Sequence, residues 1–360
     1  MVTNDIAGQR LVKQQIAGAV HRTPGRVVAS LGAMQAQDHP GALWSIGLRL
    51  AGATEADVQQ AVAERSIVRT WPMRGTLHIV AAADVRWMLE LLTPRIIAGS
   101  ASRVKDLELN DAIFARCGKL FVKALQGGKQ LTCDEMHAVL ERARISTASQ
   151  RGYHILWRLA QERVICFGAH EGKQATFALL DEWVPQAKSL EREQALAELA
   201  LRYFTSHGPA TVPDYIGWSG LKAAEARAGL AAVSSQLVKE TIEGKVYWMS
   251  PERTVGREIA STIYLLPGFD EFMLGYKDRS AALDGRHAQK IIPGNNGMFM
   301  PTIVKGGRVV GTWKRAFKKN AVVVTPSFFT AARPVEMKAL AVAAERYGKF
   351  LGMAVVVQAG

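Results

Sequence analysis

A chain of 360 residues is too long for one ordinary hydrophobic core, and at roughly 150 residues per domain it should divide into two or three. Its 48% apolar residues suffice to fill those cores, while 45 Lys and Arg against 32 Asp and Glu leave a net charge of +13 that calls for a polyanionic partner. No run of about eighteen apolar residues exists to cross a membrane, and the polar start 1–5 has neither the basic nor the apolar region of a signal peptide, so a cytoplasmic protein bound to nucleic acid is expected.

The first segment opens with an apolar-periodic helix through Leu11, Ile16 and Val20, ending at His21-Arg22. Thr23-Pro24 then reads as an N-cap with proline at the first helical position, and Val27, Leu31 and Met34 continue at helical spacing. A third helix is expected through Leu43, Ile46 and Leu50, and a fourth from Thr54-x-x-Asp57; strands at 67–74 and 75–80 make a hairpin after them. The second segment repeats this order: helix 111–126, the Gly127-Gly128 break, a helix opened by the capping box Thr132-x-x-Glu135, a helix over 150–161, then strands 164–167 and 175–179 about the turn at 171–173. The third has helix 190–206, a short helix opened by Thr211-x-x-Asp214, helix 221–232, and strands 237–241 and 245–249 around Glu243-Gly244.

Helices followed by a hairpin, three times in succession, read as three tandem winged helices. Beyond about residue 255 the pattern turns strand-like, with short apolar runs at 263–266, 301–304, 309–314, 320–325 and 354–358 and a helix at 335–347. The expected fold is α+β, divided as winged helix 1 with its following helix (1–105), winged helix 2 (106–185), winged helix 3 (186–255) and a β-barrel-like α+β domain (256–360).

Gln35-Ala36-Gln37, followed by Asp38-His39-Pro40-Gly41, is the most informative stretch. Residues two apart on a helix point about 200° from each other, but Pro40 is expected to end the helix at or before Gln37. At a helix end the two carboxamides can converge and hold one water. Asp38 is the nearest carboxylate and an alternative base, or simply a turn residue.

Basic charge gathers near the C-terminus, where Lys305, Arg308, Lys314, Arg315, Lys318, Lys319, Arg333, Lys338 and Arg346 face only Glu336 and Glu345, so a positive face is expected there. Asp270, Lys277, Asp278 and Arg279 read as a structural ion-pair cluster, and Trp44, Trp71 and Trp157 as core. Cys117, Cys133 and Cys166 are widely spaced and fit neither a disulfide framework nor a zinc site; all three are expected to be buried. No metal or cofactor is implied. Gly-x-Ser-x-Gly, phosphate-loop and dinucleotide-binding patterns are absent, and Gly127-Gly128-Lys129 lacks the spacing of the second.

Taken together, Met34-Gln-Ala-Gln37, Trp71-Pro-Met-Arg74-Gly-Thr-Leu-His78, Leu266-Pro-Gly-Phe-Asp270-Glu-Phe, Leu274-Gly-Tyr-Lys277-Asp-Arg279, Pro301-Thr-Ile-Val304 and Gly311-Thr-Trp-Lys314 resemble the bacterial winged-helix DNA glycosylases, the AlkZ-like azinomycin-resistance and interstrand-crosslink enzymes. The resemblance spans nearly the whole chain. It implies three winged helices and a β-barrel-like domain in a C shape around DNA, and a Gln-x-Gln motif, here Gln35 and Gln37, whose amides position the attacking water. Ala36 is small where a bulkier aliphatic residue is usual in such motifs.

An N7- or N3-alkylated purine already carries positive charge and leaves without strong acid assistance, so two neutral amides that orient water at C1′ can suffice. With no obvious lysine nucleophile the expected enzyme is monofunctional, leaving an abasic site in double-stranded DNA that carries alkyl or crosslink lesions. A crosslink cannot be flipped fully into a closed pocket, so an open site is expected. Arg74, His78, Lys277, Arg279, Lys314 and Arg315 are the expected DNA contacts, the protein acting as a monomer associated with the nucleoid. The alternative is a winged-helix transcription regulator without catalysis, against which three fused modules count, since regulators ordinarily dimerise on paired half-sites.

Overall fold

The structure, a computed structural model, describes residues 5–172, 174–251 and 260–358. Residues 1–4 of the polar start, Lys173 of the turn at 171–173 and the expected boundary at 255/256 lie outside them. The chain forms two compact units, one made of residues 1–58 and 196–360, the other of 59–195.

The first unit opens with helix Ile6–Lys13, capped by the Asp5 carboxylate on the Gly8 N–H at 2.8 Å. This helix was expected to run to Arg22; it stops because Gln15 takes a left-handed φ of 60° and the Arg49 guanidinium holds the Gln14 carbonyl at 2.8 Å, leaving Val20 exposed. Helix Pro24–Leu31 begins at the Thr23 cap and ends at Gly32, whose φ of 80° suits glycine. The short strand Ala33–Gln35 follows, then helix His39–Gly47. Pro40 therefore starts a helix instead of stopping one: in the first turn its missing N–H removes no bond, so the sequence signal was real and its direction reversed.

Later in this unit come helices Val212–Ser219, with its Thr211/Asp214 capping box, and Ala223–Val233, then the hairpin of Val238–Ile242 and Lys245–Met249. The hairpin loop is Glu243-Gly244, both at positive φ as a two-residue turn of this hand requires. The C-terminal strands form one five-stranded sheet in the order Ala354–Val357, Ala321–Phe328, Arg308–Lys318, Thr302–Lys305, Ile263–Leu266, antiparallel except for the first pair. Helix Pro334–Leu351 connects that parallel pair. The barrel-like expectation thus becomes an open half-barrel with strands Ala354–Val357 and Ile263–Leu266 at its edges among the described residues. Buried Trp44 donates to the Leu265 carbonyl at 2.8 Å and ties helix His39–Gly47 to the sheet, while buried Trp313 donates to the Leu266 carbonyl at 2.8 Å within it.

The second unit holds helices Asp111–Leu125, Cys133–Arg142 and Arg151–Gln161, with a sheet in the order Leu131–Thr132, Gln174–Leu179, Ile165–Glu171. Phe114, Phe121, Leu125, Met136, Leu140, Ile155 and Leu159 fill its core, and the Thr132–Glu135 capping box forms as expected. The Gly127-Gly128 break is held by the Glu182 carboxylate, which accepts both N–H groups at 3.1 and 2.6 Å. The hairpin of Ile67–Met73 and Thr76–Ala81 turns at Arg74-Gly75. Helices Glu55–Ala63 and Arg192–His207 carry the chain from one unit to the other.

Candidate active site

Gln35 ends a three-residue strand and Gln37 lies two residues on, outside regular structure, so neither side chain is bound by helical geometry. Their amides do converge. Gln35 Nε2 donates to Gln37 Oε1 at 2.9 Å, and Gln35 Oε1 accepts the Gln37 backbone N–H at 3.3 Å. Gln35 is buried and Gln37 exposed. The buried amide therefore fixes the exposed one, and Gln37 offers its Nε2 donors and a remaining Oε1 lone pair to solvent.

What fixes Gln35 is a buried polar network. Its backbone N–H donates to Glu271 Oε1 at 3.3 Å, and the other oxygen of that carboxylate accepts from Trp218 Nε1 at 2.9 Å and faces His207 Nε2 at 3.4 Å. Glu271 is 1% exposed. It opens a one-turn helix, Glu271–Leu274, whose N-cap is Asp270. Asp270 in turn is gripped by both terminal nitrogens of Arg49, at 2.8 and 2.9 Å, and by Ser45 Oγ at 2.6 Å. Burial alone would raise the Asp270 carboxyl; the Arg49 charge and the donors around it outweigh that and hold it below the ordinary carboxylate value. Sequence reasoning missed Arg49 and Glu271 as supports of the site. The run Asp270-Glu271 within an otherwise apolar stretch was the available signal, because buried carboxylates require partners.

Asp38, the carboxylate next to Gln37, lies 3.5 Å from Arg315 Nη2, and Arg315 also donates to the Tyr347 hydroxyl at 2.8 Å. Arg315 thus joins the glutamine pair at one surface. Lys314, Lys318 and Lys319 are exposed on the same hairpin, with Phe317 57% exposed between them. The positive face is narrower than the sequence suggested: Lys305 and Arg333 pair with Glu336 at 2.7 and 3.1 Å, and Arg346 turns to the carbonyls of Leu48 and Leu50.

The remaining candidates are dispersed. Lys277 is exposed, while Arg279 is partly buried, donating to the Met273 carbonyl at 2.7 Å with its guanidinium 4.9 Å from the Phe299 ring centroid. The four-residue ion-pair cluster does not form, since Asp270 pairs with Arg49 and Asp278 with Lys245 at 2.5 Å. In the second unit, Arg74 sits at the hairpin turn, its Nη2 3.3 Å from His78 Nε2. His78 is wholly buried, with Nδ1 2.9 Å from the Thr76 carbonyl, so its ring has no face for DNA and instead supports Arg74. Trp44, Trp71 and Trp157 are buried as expected, as are Cys117 and Cys166; Cys133 is exposed, because the first position of its helix points it outward. Among the described residues no group of His, Cys, Asp and Glu could hold a metal, and no helix is long and apolar enough to cross a membrane.

The sequence of this mixed α+β chain matches a known family. The profile described as DNA glycosylase AlkZ-like covers residues 28–350, and the chain belongs to that DNA glycosylase family. The chain is similar to the interstrand DNA cross-link repair glycosylase of Streptomyces sahachiroi, at 26% identity over 347 residues and 91% of either protein. The solved structure of Streptomyces sahachiroi DNA glycosylase AlkZ shares the fold, with a TM-score of 0.80 over 99% of this chain and 98% of that one at 24% identity.

Proposed function

We propose that this protein excises cationic N7- or N3-alkylated purines from double-stranded DNA and unhooks interstrand crosslinks; its relative's name, a glycosylase of interstrand DNA cross-link repair, supports the second part. The observation that carries the reading is the 2.9 Å contact that locks Gln35 onto Gln37 while Gln37 remains exposed beside Asp38 and Arg315. In this mechanism a water donates to the free lone pair of Gln37 Oε1, which turns an oxygen lone pair toward C1′. The departing base is already charged, so no acid is required, and positioning of this kind is worth several kcal/mol, up to about 10. Behind Gln35 the buried Glu271 carboxyl accepts the Gln35 backbone N–H and holds the strand end in place.

The enzyme is monofunctional and works as a monomer within the nucleoid. Segments 1–105, 106–185 and 186–255 act as winged helices that address the duplex, with 256–360 contributing Lys277, Arg279, Lys314 and Arg315 to phosphate contact and Arg74 serving from the first hairpin. Membership of a glycosylase family leaves the regulator reading without support. The test is release of 7-methylguanine from methylated duplex DNA, and of an unhooked product from a crosslinked duplex. Gln37→Ala should lower both at least about a hundredfold and keep DNA affinity; base release by that variant at the parent rate would remove the amide pair from the mechanism.

A further inference from the structure

We propose that the second unit carries a binding site for a free purine base, separate from the glutamine pair and needing no catalysis. A cavity of about 420 Å³ opens among residues of this unit, within the size range of small-molecule sites. Its floor is aromatic. Trp71, Phe167 and Phe177 are buried side by side, with ring centroids 5.1 Å apart for the first pair and 4.5 Å for the second. Tyr153 stands at the mouth, 47% exposed and nearly perpendicular to Trp71 at 6.3 Å. An exposed ring over an aromatic floor favours a planar aromatic guest that stacks, because stacking is worth more per unit area than aliphatic contact.

Polar groups on the lining select which planar guest. Asp134, His137 and Gln174 lie on it, an arrangement of acceptor and mixed donor–acceptor groups that suits the exocyclic amine and ring nitrogens of a purine edge. Of the lining residues only Asp134 carries a formal charge, and that charge is negative. A phosphate would meet it with repulsion, which favours the free base over the nucleotide. Cys133 completes the rim, its Sγ 3.8 Å from His137 Nε2. Burial and the Asp134 charge push its thiol up, so at neutral pH it is a thiol and a passive reporter instead of a nucleophile.

Cys133 makes the proposal measurable, since Cys117 and Cys166 are buried. Iodoacetamide labelling of the full-length protein at pH 8.5, read by intact mass, is run with adenine, adenosine 5′-monophosphate or a single-stranded oligonucleotide present. Adenine at ten times its dissociation constant should slow Cys133 labelling about tenfold, and the monophosphate should protect far less. Tyr153→Ala should weaken adenine binding about tenfold, as the loss of one stacking partner does. Binding by Cys133→Ser, followed by the change in tryptophan fluorescence, should match the parent. Unchanged labelling at millimolar adenine overturns the proposal. So does equal protection by the monophosphate, or protection by the oligonucleotide alone, which would assign the cavity to an unstacked base of a strand. Neither readout depends on base release, so failure here leaves the glycosylase reading standing.

Discussion

Gln35 and Gln37 differ in what they can lose. In the proposed mechanism Gln37 presents the working amide, so Gln37→Ala should lower single-turnover base release by about 10²–10³, the usual cost of removing one group that acts on the transition state; DNA affinity, measured by anisotropy, should not move. Glu271 acts through the Gln35 backbone. Glu271→Gln keeps one acceptor in place of the carboxyl, and should lower kcat about tenfold with little change in KM, the range typical of an outer residue that orients an inner one. Arg49 supports both from further back. Arg49→Ala strands the Asp270 carboxylate in a site with 1% exposure, which should destabilise the first unit by about 3–5 kcal/mol in urea unfolding. The sign with pH follows from the lowered Asp270 value: the stability it contributes is complete above the ordinary carboxylate pKa, near pH 4, and is lost as pH falls further through the native value. Arg49→Ala should therefore show a shallower acid-unfolding slope below pH 4 than the parent.

At the scale of elements, the turn at Arg74-Gly75 allows a folding role to be told apart from the proposed DNA contact. Both residues have positive φ, 53° and 72°, as a two-residue hairpin loop demands, but only the glycine adopts that conformation freely. Arg74→Gly should leave the thermal midpoint unchanged or slightly raised, relieving about 1 kcal/mol of backbone strain, while weakening affinity for duplex DNA; a fall in both would make Arg74 a folding residue. The same elements show what was legible in the sequence. Hairpins at 67–81 and 238–249 and the capped helices at 133 and 212 follow local chemistry, glycine in the turn and Thr-x-x-acid at the start, and were read correctly from it. Helix Ile6–Lys13 was overextended because its end is set by Arg49, which captures the carbonyl of Gln14 from 35 residues further on. His78 misled for a similar reason: alternation along a strand does not say which face is sealed. For the candidate site, the convergence of Gln35 and Gln37 was legible in their short spacing, whereas Arg49 and Glu271 bond across more than 200 residues of sequence, a separation that no local pattern encodes.

For the whole molecule, the +13 charge has to be apportioned between residues that hold the fold and residues that face a ligand. Arg10 and Arg49 are buried against Asp214 and Asp270, Lys305 is paired with Glu336, and Arg346 serves backbone carbonyls, so these cations are spoken for. Lys314, Lys318 and Lys319 are exposed on one hairpin and Lys277 is exposed elsewhere in the same unit. Phosphate neutralisation by such residues makes the logarithm of affinity fall linearly with the logarithm of salt, by about 0.9 for each phosphate contacted. Binding of an undamaged duplex should therefore weaken steeply between 50 and 200 mM salt. Lys314→Ala with Lys318→Ala should reduce the slope by about two, whereas Lys305→Ala, which removes a cation already satisfied by Glu336, should leave it unchanged. Equal slopes for all three proteins would place the DNA-binding surface away from the half-barrel hairpin, and with it the reason for Gln37 to stand open beside Arg315.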